Sequence, residues 1–189
     1  MMRTRGKGQP VTEDIEQVLF TEEQIAARVA ELGAQIRADY EGGNLLLVGT
    51  LKGAFLFFAD LARAVDLPLT VDFVSVSSYG DGVSSGGAIE VRKDLDQPPE
   101  GLDVLIVEDI VDSGRTLAFL QDELRAQHAA SVEICTLFDK PSGRVVPVAP
   151  KYIGFTVPDG FVVGYGMDYA EKYRNLPFVG LLRPEIYGA

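Results

Sequence analysis

The stretch Val104-Leu105-Ile106-Val107-Glu108-Asp109-Ile110-Val111-Asp112-Ser113-Gly114-Arg115-Thr116-Leu117 decides how this chain folds and where it works. Val104 to Val107 is a continuous branched and aliphatic run, the pattern of a strand buried on both faces. Ser113-Gly114-Arg115-Thr116 reads as a tight turn, and Ala118, Phe119, Leu120 and Leu124 open an amphipathic helix. Strand, glycine turn and helix start together make an anion site, because the turn amides and the helix N-terminus converge on one spot with partial positive charge. A phosphate monoester suits it. Glu108, Asp109 and Asp112 stand beside that turn, where they repel phosphate. They must therefore face something else: hydroxyls, a metal ion, or a proton to be moved. A sugar phosphate satisfies the whole set, with its phosphate on the turn, its diol on the acids, and one acid left for chemistry. GxxxxGK[ST] is absent, and no GxGxxG follows a strand, so the turn is neither a Walker loop nor a dinucleotide fingerprint.

Composition bounds the rest. With 189 residues, 47% apolar and 24% charged, the chain has the make-up of an ordinary globular protein with one full core. No apolar run approaches the roughly 20 residues that cross a bilayer, and the opening residues do not read as a signal peptide. No membrane association is expected, and a cytoplasmic location is. The single Cys135 lies in an apolar run and reads as a buried small hydrophobe. A net charge of −11 argues against a broad nucleic-acid surface, which needs a basic face. An anionic substrate must then be met by a local cluster of donors.

Outward from the central stretch, the pattern repeats. Residues 1–10 read as a disordered tail, and residues 11–189 as one domain. Thr21-Glu22-Glu23-Gln24 fits a capping box, and Ile25, Val29, Leu32, Gly33 and Ile36 mark the buried face of a helix ending near Tyr40. Leu45 to Val48 is a strand that runs into Gly49-Thr50-Leu51-Lys52-Gly53-Ala54, a second glycine–lysine turn before a second helix, Phe55 to Val65. Open α/β sheets bind ligands at such carboxyl ends of strands. Leu69 to Val76 is a further strand. The polar, glycine-rich segment Ser77 to Gly87, with Ser78 and Tyr79 in it, reads as a lid or binding loop.

Val132 to Phe138 is another strand, and Lys140 lies just past its end, pushed toward an extended conformation by Pro141. An ammonium only donates, so it selects a carbonyl or an anion over an amine. Phe161 offers a flat face to a planar base, the Val162 backbone can read base edges, and Asp168 is an acid close behind glycines. The fork of Arg174 suits phosphate oxygens. The lone His128, at a helix end, reads as surface. The alternation of strands and helices is that of an α/β fold with a single doubly wound, mostly parallel sheet. The N-terminal helix and residues from about Phe161 to Leu182 are expected to form a small hood over its carboxyl edge.

The central stretch resembles the phosphoribosyl-diphosphate motif of the type I phosphoribosyltransferases. The flanking residues resemble the hypoxanthine–guanine branch in its bacterial form, over about Val11 to Arg183. The resemblance implies transfer of a phosphoribosyl group from 5-phosphoribosyl 1-diphosphate to a 6-oxopurine base, with release of pyrophosphate. It implies Mg²⁺ as cofactor, with Glu108, Asp109 and Asp168 as its residues. It also implies that Glu108, Asp109 and Ile110 belong to the ribose site, and that the amides of Ser113, Gly114, Arg115 and Thr116 hold the 5-phosphate. Asp112 becomes the acid/base group at purine N7. Leu51, Lys52, Gly53 and Arg174 meet the pyrophosphate, and in the family the bond matching Leu51–Lys52 is cis. Lys140 meets the purine O6, Phe161 stacks on the base, Val162 reads its edge, and Ser78 and Tyr79 belong to a flexible lid. By analogy with the family, a homodimer or homotetramer is expected.

Three alternatives remain at this stage. The same chemistry could serve xanthine or another base. A non-catalytic sensor of the sugar diphosphate would not need Asp112 and Lys140. The fold also resembles pyrimidine-operon regulators that bind RNA, which need a basic face that this acidic chain lacks.

Overall fold

The computed structural model describes residues 11–78 and 89–188. The expected tail at 1–10 and the lid tyrosine Tyr79 lie outside the described residues. After a short 3₁₀ turn at Val11–Asp14, the elements in chain order are β1 (Ile15–Phe20), α1 (Glu22–Tyr40), β2 (Leu45–Leu51), α2 (Phe55–Ala64), β3 (Leu69–Ser78) and β4 (Ile89–Lys93). They continue with β5 (Asp103–Val111), α3 (Arg115–Ala126), β6 (Ser131–Asp139), β7 (Tyr152–Thr156), β8 (Val162–Val163), β9 (Val179–Leu182) and α4 (Pro184–Tyr187).

Six strands form the main sheet in the order β4-β3-β2-β5-β6-β7. All pair in parallel except β4, which returns antiparallel to β3. The sequence pattern accounts for the two layers around it. Along β5, Leu105 and Val107 point into one apolar cluster with α1 and α2, while Val104, Ile106 and Val111 point into the other with Leu117, Leu120 and Leu124 of α3. The sheet is thus doubly wound, as expected. α1 starts at the expected capping box, with the Gln24 amide donating to Thr21 and the Gln24 side chain accepting from the Thr21 amide. It lies close on α2 because Gly33 faces Ala64, where an added Cβ would stand 2.6 Å from the Ala64 carbonyl oxygen.

The chain order reverses between β2 and β5, which makes their carboxyl ends the crevice of the sheet. There the structure extends the central strand past Val107, where the apolar run ends, to Val111. The cause is asymmetric pairing. β2 stays beside β5 only as far as Gly49↔Val107, whereas β6 continues to Val111↔Asp139. Glu108, Asp109 and Ile110 are therefore strand residues beside an open sheet edge, rather than loop residues.

The small hood differs from the expected one. It is an antiparallel sheet in the order β1-β9-β8. The N-terminal helix adds no strand to it: Ile25, Val29, Leu32 and Ile36 of α1 share one apolar cluster with β2, α2 and β5 and with Val162 and Val179 of the small sheet. The strand before that helix, β1, pairs with β9 instead. Phe20 of β1 stacks on Phe155 of β7 at 4.2 Å between ring centroids and packs against Phe138, which seats the small sheet on the large one. Cys135 is buried, as expected, and desolvation pushes its thiol pKa up. His128 is exposed at the end of α3, as expected.

Candidate active site

Two adjoining cavities, of about 280 and 270 Å³, open at the carboxyl ends of β2 and β5. Asp109, Ile110 and Asp112 border both.

The first cavity ends at the turn between β5 and α3. Gly114 is the residue before the helix and has φ = +81°, a left-handed conformation that suits glycine. The first helical amide that turns back into the helix here is that of Ala118, which donates to Gly114 O. The amides before it at the helix start are free of that ladder and form the positive end of the helix dipole. Ser113, Gly114 and Thr116 border the cavity, and Arg115 is exposed beside it. Backbone amides and a helix N-terminus thus face this cavity, an arrangement suited to an anion.

The carboxylates are each fixed by contacts of their own, with Glu108 and Asp109 crowded against each other. Glu108 Oε1 accepts from the Thr50 hydroxyl at 2.6 Å and from the Asp109 amide at 3.2 Å. Desolvation, and next the neighbouring Asp109 carboxyl, hold the Glu108 carboxyl well above its usual range. Asp109 lies against the β2–α2 loop: an added Cβ at Gly53 would stand 1.9 Å from Asp109 Oδ2. In that loop the Leu51–Lys52 peptide bond is cis, matching the family. Leu51 and Gly53 border the first cavity. The Lys52 ammonium is turned to Glu171, 3.1 Å away, with both side chains exposed.

The raised Glu108 pKa carries a stability prediction. A group whose pKa is higher in the folded state contributes stability that is complete below its unfolded value and is lost as pH rises through the folded value. The ligand-free protein should therefore lose this contribution progressively as pH rises above the usual carboxyl value of 4.5. Glu108→Gln keeps an acceptor for Thr50 and removes the ionisation. In chelator-treated protein it should raise Tm at pH 8 and leave it nearly unchanged at pH 4, each kcal/mol being worth about 2–4 °C in a chain of this size. A Tm difference that is the same at both pH values would show that packing, not ionisation, is responsible.

The second cavity is bordered by Lys140, Gly160, Phe161, Val162 and Asp168. Lys140 is largely enclosed; its Nζ donates to Gly160 O at 3.2 Å and lies 3.9 Å from Asp112 Oδ2. Phe161 is 37% exposed and meets Tyr169 edge-on at 5.1 Å. Val162 is opposite Leu181, while the Leu182 amide donates to Phe161 O at 2.8 Å. In an antiparallel ladder this register turns the N–H and C=O of Val162 away from β9. That edge can serve a ligand, as the sequence reading expects.

Arg174 and Asp168 satisfy each other. Arg174 Nη2 is 2.7 Å from Asp168 Oδ1, and its Nη1 donates to Gly166 O at 2.8 Å. Arg174 Nε is buried without a hydrogen-bond partner. Glu108 borders the first cavity with Thr50, Asp168 borders the second with Arg174, and no cluster of three or more His, Cys, Asp or Glu is gathered for a metal among the described residues. Mg²⁺ commonly binds through one or two carboxylates, waters and substrate phosphates rather than in an all-protein cage. Asp109 and Asp168, on one cavity wall, fit that mode.

Sequence reading missed Thr50, Glu171 and the Gly160 carbonyl. Thr50 had a signal: it is a polar residue ending an apolar strand, and it is 5% exposed. Glu171 and Gly160 had none, because their partners are distant in the chain. Tyr79 lies outside the described residues, and Ser78 is the last residue of β3.

The chain's residues 17–170 match the model of the phosphoribosyl transferase domain. It is 51% identical over 174 residues to the hypoxanthine-guanine phosphoribosyltransferase of Bacillus subtilis, with 92% of this chain and 97% of that protein covered. The chain belongs to the phosphoribosyltransferase family. Within it, the relatives are of the hypoxanthine–guanine branch. A phosphoribosyltransferase structure from Staphylococcus aureus, a hypoxanthine phosphoribosyltransferase, superposes with a TM-score of 0.91 at 46% identity, covering 96% of this chain and 99% of that one. The bifunctional TilS/HprT protein of Listeria innocua is 51% identical over 185 residues, which are 98% of this chain and 28% of that protein. The chain thus spans less than a third of the length of that curated relative. No helix among the described residues is long and apolar enough to cross a membrane.

Proposed function

We propose that this phosphoribosyltransferase is a hypoxanthine phosphoribosyltransferase that also takes guanine, and that it serves purine salvage in the cytoplasm. One observation carries the reading. Asp112 borders both cavities, one ending at the backbone anion turn and the other at Lys140 and Phe161. A phosphorylated ribose in the first and a base in the second would meet beside that acid.

The steps follow from the chain's own residues. The amides around Ser113–Thr116 bind the 5-phosphate, with no charged side chain needed. Glu108 and Asp109 accept from the ribose hydroxyls. Lys140 donates to the purine O6, Val162 offers its strand edge, and Phe161 covers the base plane. The purine N9 then bonds to the sugar C1 as the C1–pyrophosphate bond breaks, through an oxocarbenium-like transition state of the glycosyl-transfer kind. Asp112 takes or holds the proton at purine N7 as charge builds there. Lys52 and Arg174 exchange Glu171 and Asp168 for the departing pyrophosphate. Asp109 and Asp168 would hold Mg²⁺, which would supply neutralisation of that leaving group. The Ser78–Tyr79 segment serves as the lid, and the protein acts as a homodimer or homotetramer.

The test is pyrophosphate release by the purified chain with Mg²⁺ and 5-phosphoribosyl 1-diphosphate, offering hypoxanthine, guanine, xanthine and adenine in turn. Release with hypoxanthine and guanine and none with adenine is expected. Release with xanthine alone would change the base, and silence with all four would remove the reaction.

A further inference from the structure

Arg144 has no part in the reaction as described, yet its guanidinium is one of the most heavily bonded in the chain. It lies in the loop that follows Lys140 and the 3₁₀ turn Pro141–Gly143. Its side chain is only 18% exposed. Nε donates to Asp112 O at 3.1 Å, Nη1 to Val148 O at 2.7 Å, and Nη2 to Val111 O at 3.4 Å. Nη2 also pairs with the Asp139 carboxylate. The same loop supplies the Val145 and Val146 amides, both 3.0 Å from Ser113 O. Three successive carbonyls at the end of β5 are therefore held by one loop.

The location gives this arrangement its consequence. The ladder between β5 and β6 ends at Val111↔Asp139. The next residue on each strand is Asp112 on one and Lys140 on the other; the Lys140 amide still donates to Val111 O at 2.9 Å, and no β5–β6 pair forms beyond Val111↔Asp139. Arg144 spans that gap, bonded to the Asp112 carbonyl on one side and to the Asp139 carboxylate on the other. A planar guanidinium fixes several acceptors in one geometry, which a single ammonium cannot do. The loop also lies directly under the acid: an added Cβ at Gly143 would stand 1.5 Å from Asp112 Oδ1.

We propose that Arg144 is a positioning residue for the transfer reaction, holding the Asp112 carboxyl and the Lys140 ammonium at their 3.9 Å separation. The inference rests on the reaction proposed above. Arg144 sets where the proton-handling group stands relative to the group that orients the base. A misplacement of about 1 Å at such a pair can cost about 10²-fold in rate. The phosphate turn has its own helix and its own Val145 and Val146 contacts, so sugar-diphosphate binding should survive.

The experiment compares wild type, Arg144→Lys and Arg144→Gln as full chains with Mg²⁺, 5-phosphoribosyl 1-diphosphate and each base. Arg144→Gln should lower kcat with hypoxanthine about 10²-fold. Its KM for the sugar diphosphate should stay within about threefold of wild type, the split that marks a loss confined to the reacting complex. Its preference for hypoxanthine over adenine should narrow. Arg144→Lys should lose less, and dilute guanidinium chloride should restore part of the kcat of either variant. If the glutamine variant does not fold, the kcat deficit and guanidinium rescue of the lysine variant decide the matter. Unchanged kcat in both variants overturns the proposal. So does a loss in which kcat and Tm fall while both KM values rise, without rescue, which would make Arg144 a scaffold residue only. A wild type silent with every base removes the reaction reading and this inference with it, whereas an active wild type with unaffected variants removes this inference alone.

Discussion

Asp112→Asn should reduce turnover with hypoxanthine by about 10²–10⁴-fold, the usual contribution of a positioned acid/base group. The substitution is nearly isosteric, so the effect isolates the carboxylate. Nothing else in the first cavity depends on that side chain. The Asp112 carbonyl is held by Arg144, the turn keeps its Val145 and Val146 contacts, and α3 keeps its first backbone bond from Ala118 to Gly114. Affinity for the sugar diphosphate should therefore stay within a few-fold of wild type. Lys140 loses a charged neighbour and keeps its bond to Gly160 O. The check is paired: steady-state kcat with hypoxanthine, and the dissociation constant of the sugar diphosphate by calorimetry. Unchanged kcat would take Asp112 out of the proton-transfer role. Equal losses in kcat and sugar-diphosphate affinity would make it a binding group.

Lys140→Gln should have the second large effect, on the choice of base. The Lys140 side chain is 19% exposed and its ammonium offers donors only, so a 6-oxo group completes its bonding and a 6-amino group opposes it. A charge-assisted hydrogen bond of this kind contributes about 1.5–3 kcal/mol, so kcat/KM for hypoxanthine should fall by about one to two powers of ten. The glutamine amide can accept as well as donate, so adenine should gain detectable activity while hypoxanthine loses it. Sites built around one hydrogen bond can discriminate by about 10⁴-fold or more, and the variant should give up much of that ratio. Pyrophosphate release with each base at equal concentration measures it. A variant that loses hypoxanthine activity and gains nothing with adenine would show that the rejection of adenine resides elsewhere, at the Val162 edge or at purine N1.

How far the site could be read beforehand depended on chain distance. The segment from Val104 to Thr116 was legible because its evidence is local: an apolar run, a glycine where φ must be positive, and a helix pattern three residues on. The capping box at Thr21–Gln24 was legible for the same reason. Lys140, Phe161 and Asp168 were found as individual residues, and their family roles came with the resemblance. Their convergence on one cavity is tertiary, since β6, β8 and the loop after β8 meet only through the sheet order and the small β1-β9-β8 sheet. Capping and periodicity correctly predict a helix over 22–40 and say nothing about which sheet it packs against. That choice fell to Gly33, which lets α1 approach α2 closely, and to Phe20, whose ring seats the preceding strand on β7.

By itself, then, the sequence determined the elements that frame the site, β2, α2, β5, α3 and β6, together with the apolar character of β5, the glycine turn and the types of chemical group available; β1, β4 and β9 were not legible in it. The legible features follow from interactions between residues a few positions apart, which periodicity and capping record directly. Only the tertiary structure decided the state of those groups. The Glu108 carboxyl is held above its usual range because the fold buries it and sets the Asp109 carboxyl beside it, while the hydrogen bond from Thr50, 58 positions earlier, pulls the other way. Lys52 and Arg174 are turned to Glu171 and Asp168, the first pair spanning 119 positions. Arg144 holds the carbonyls at the end of β5 across 32 and 33 positions. Desolvation and charge pairing depend on which groups the fold brings within a few ångströms, and no local pattern in the chain encodes that.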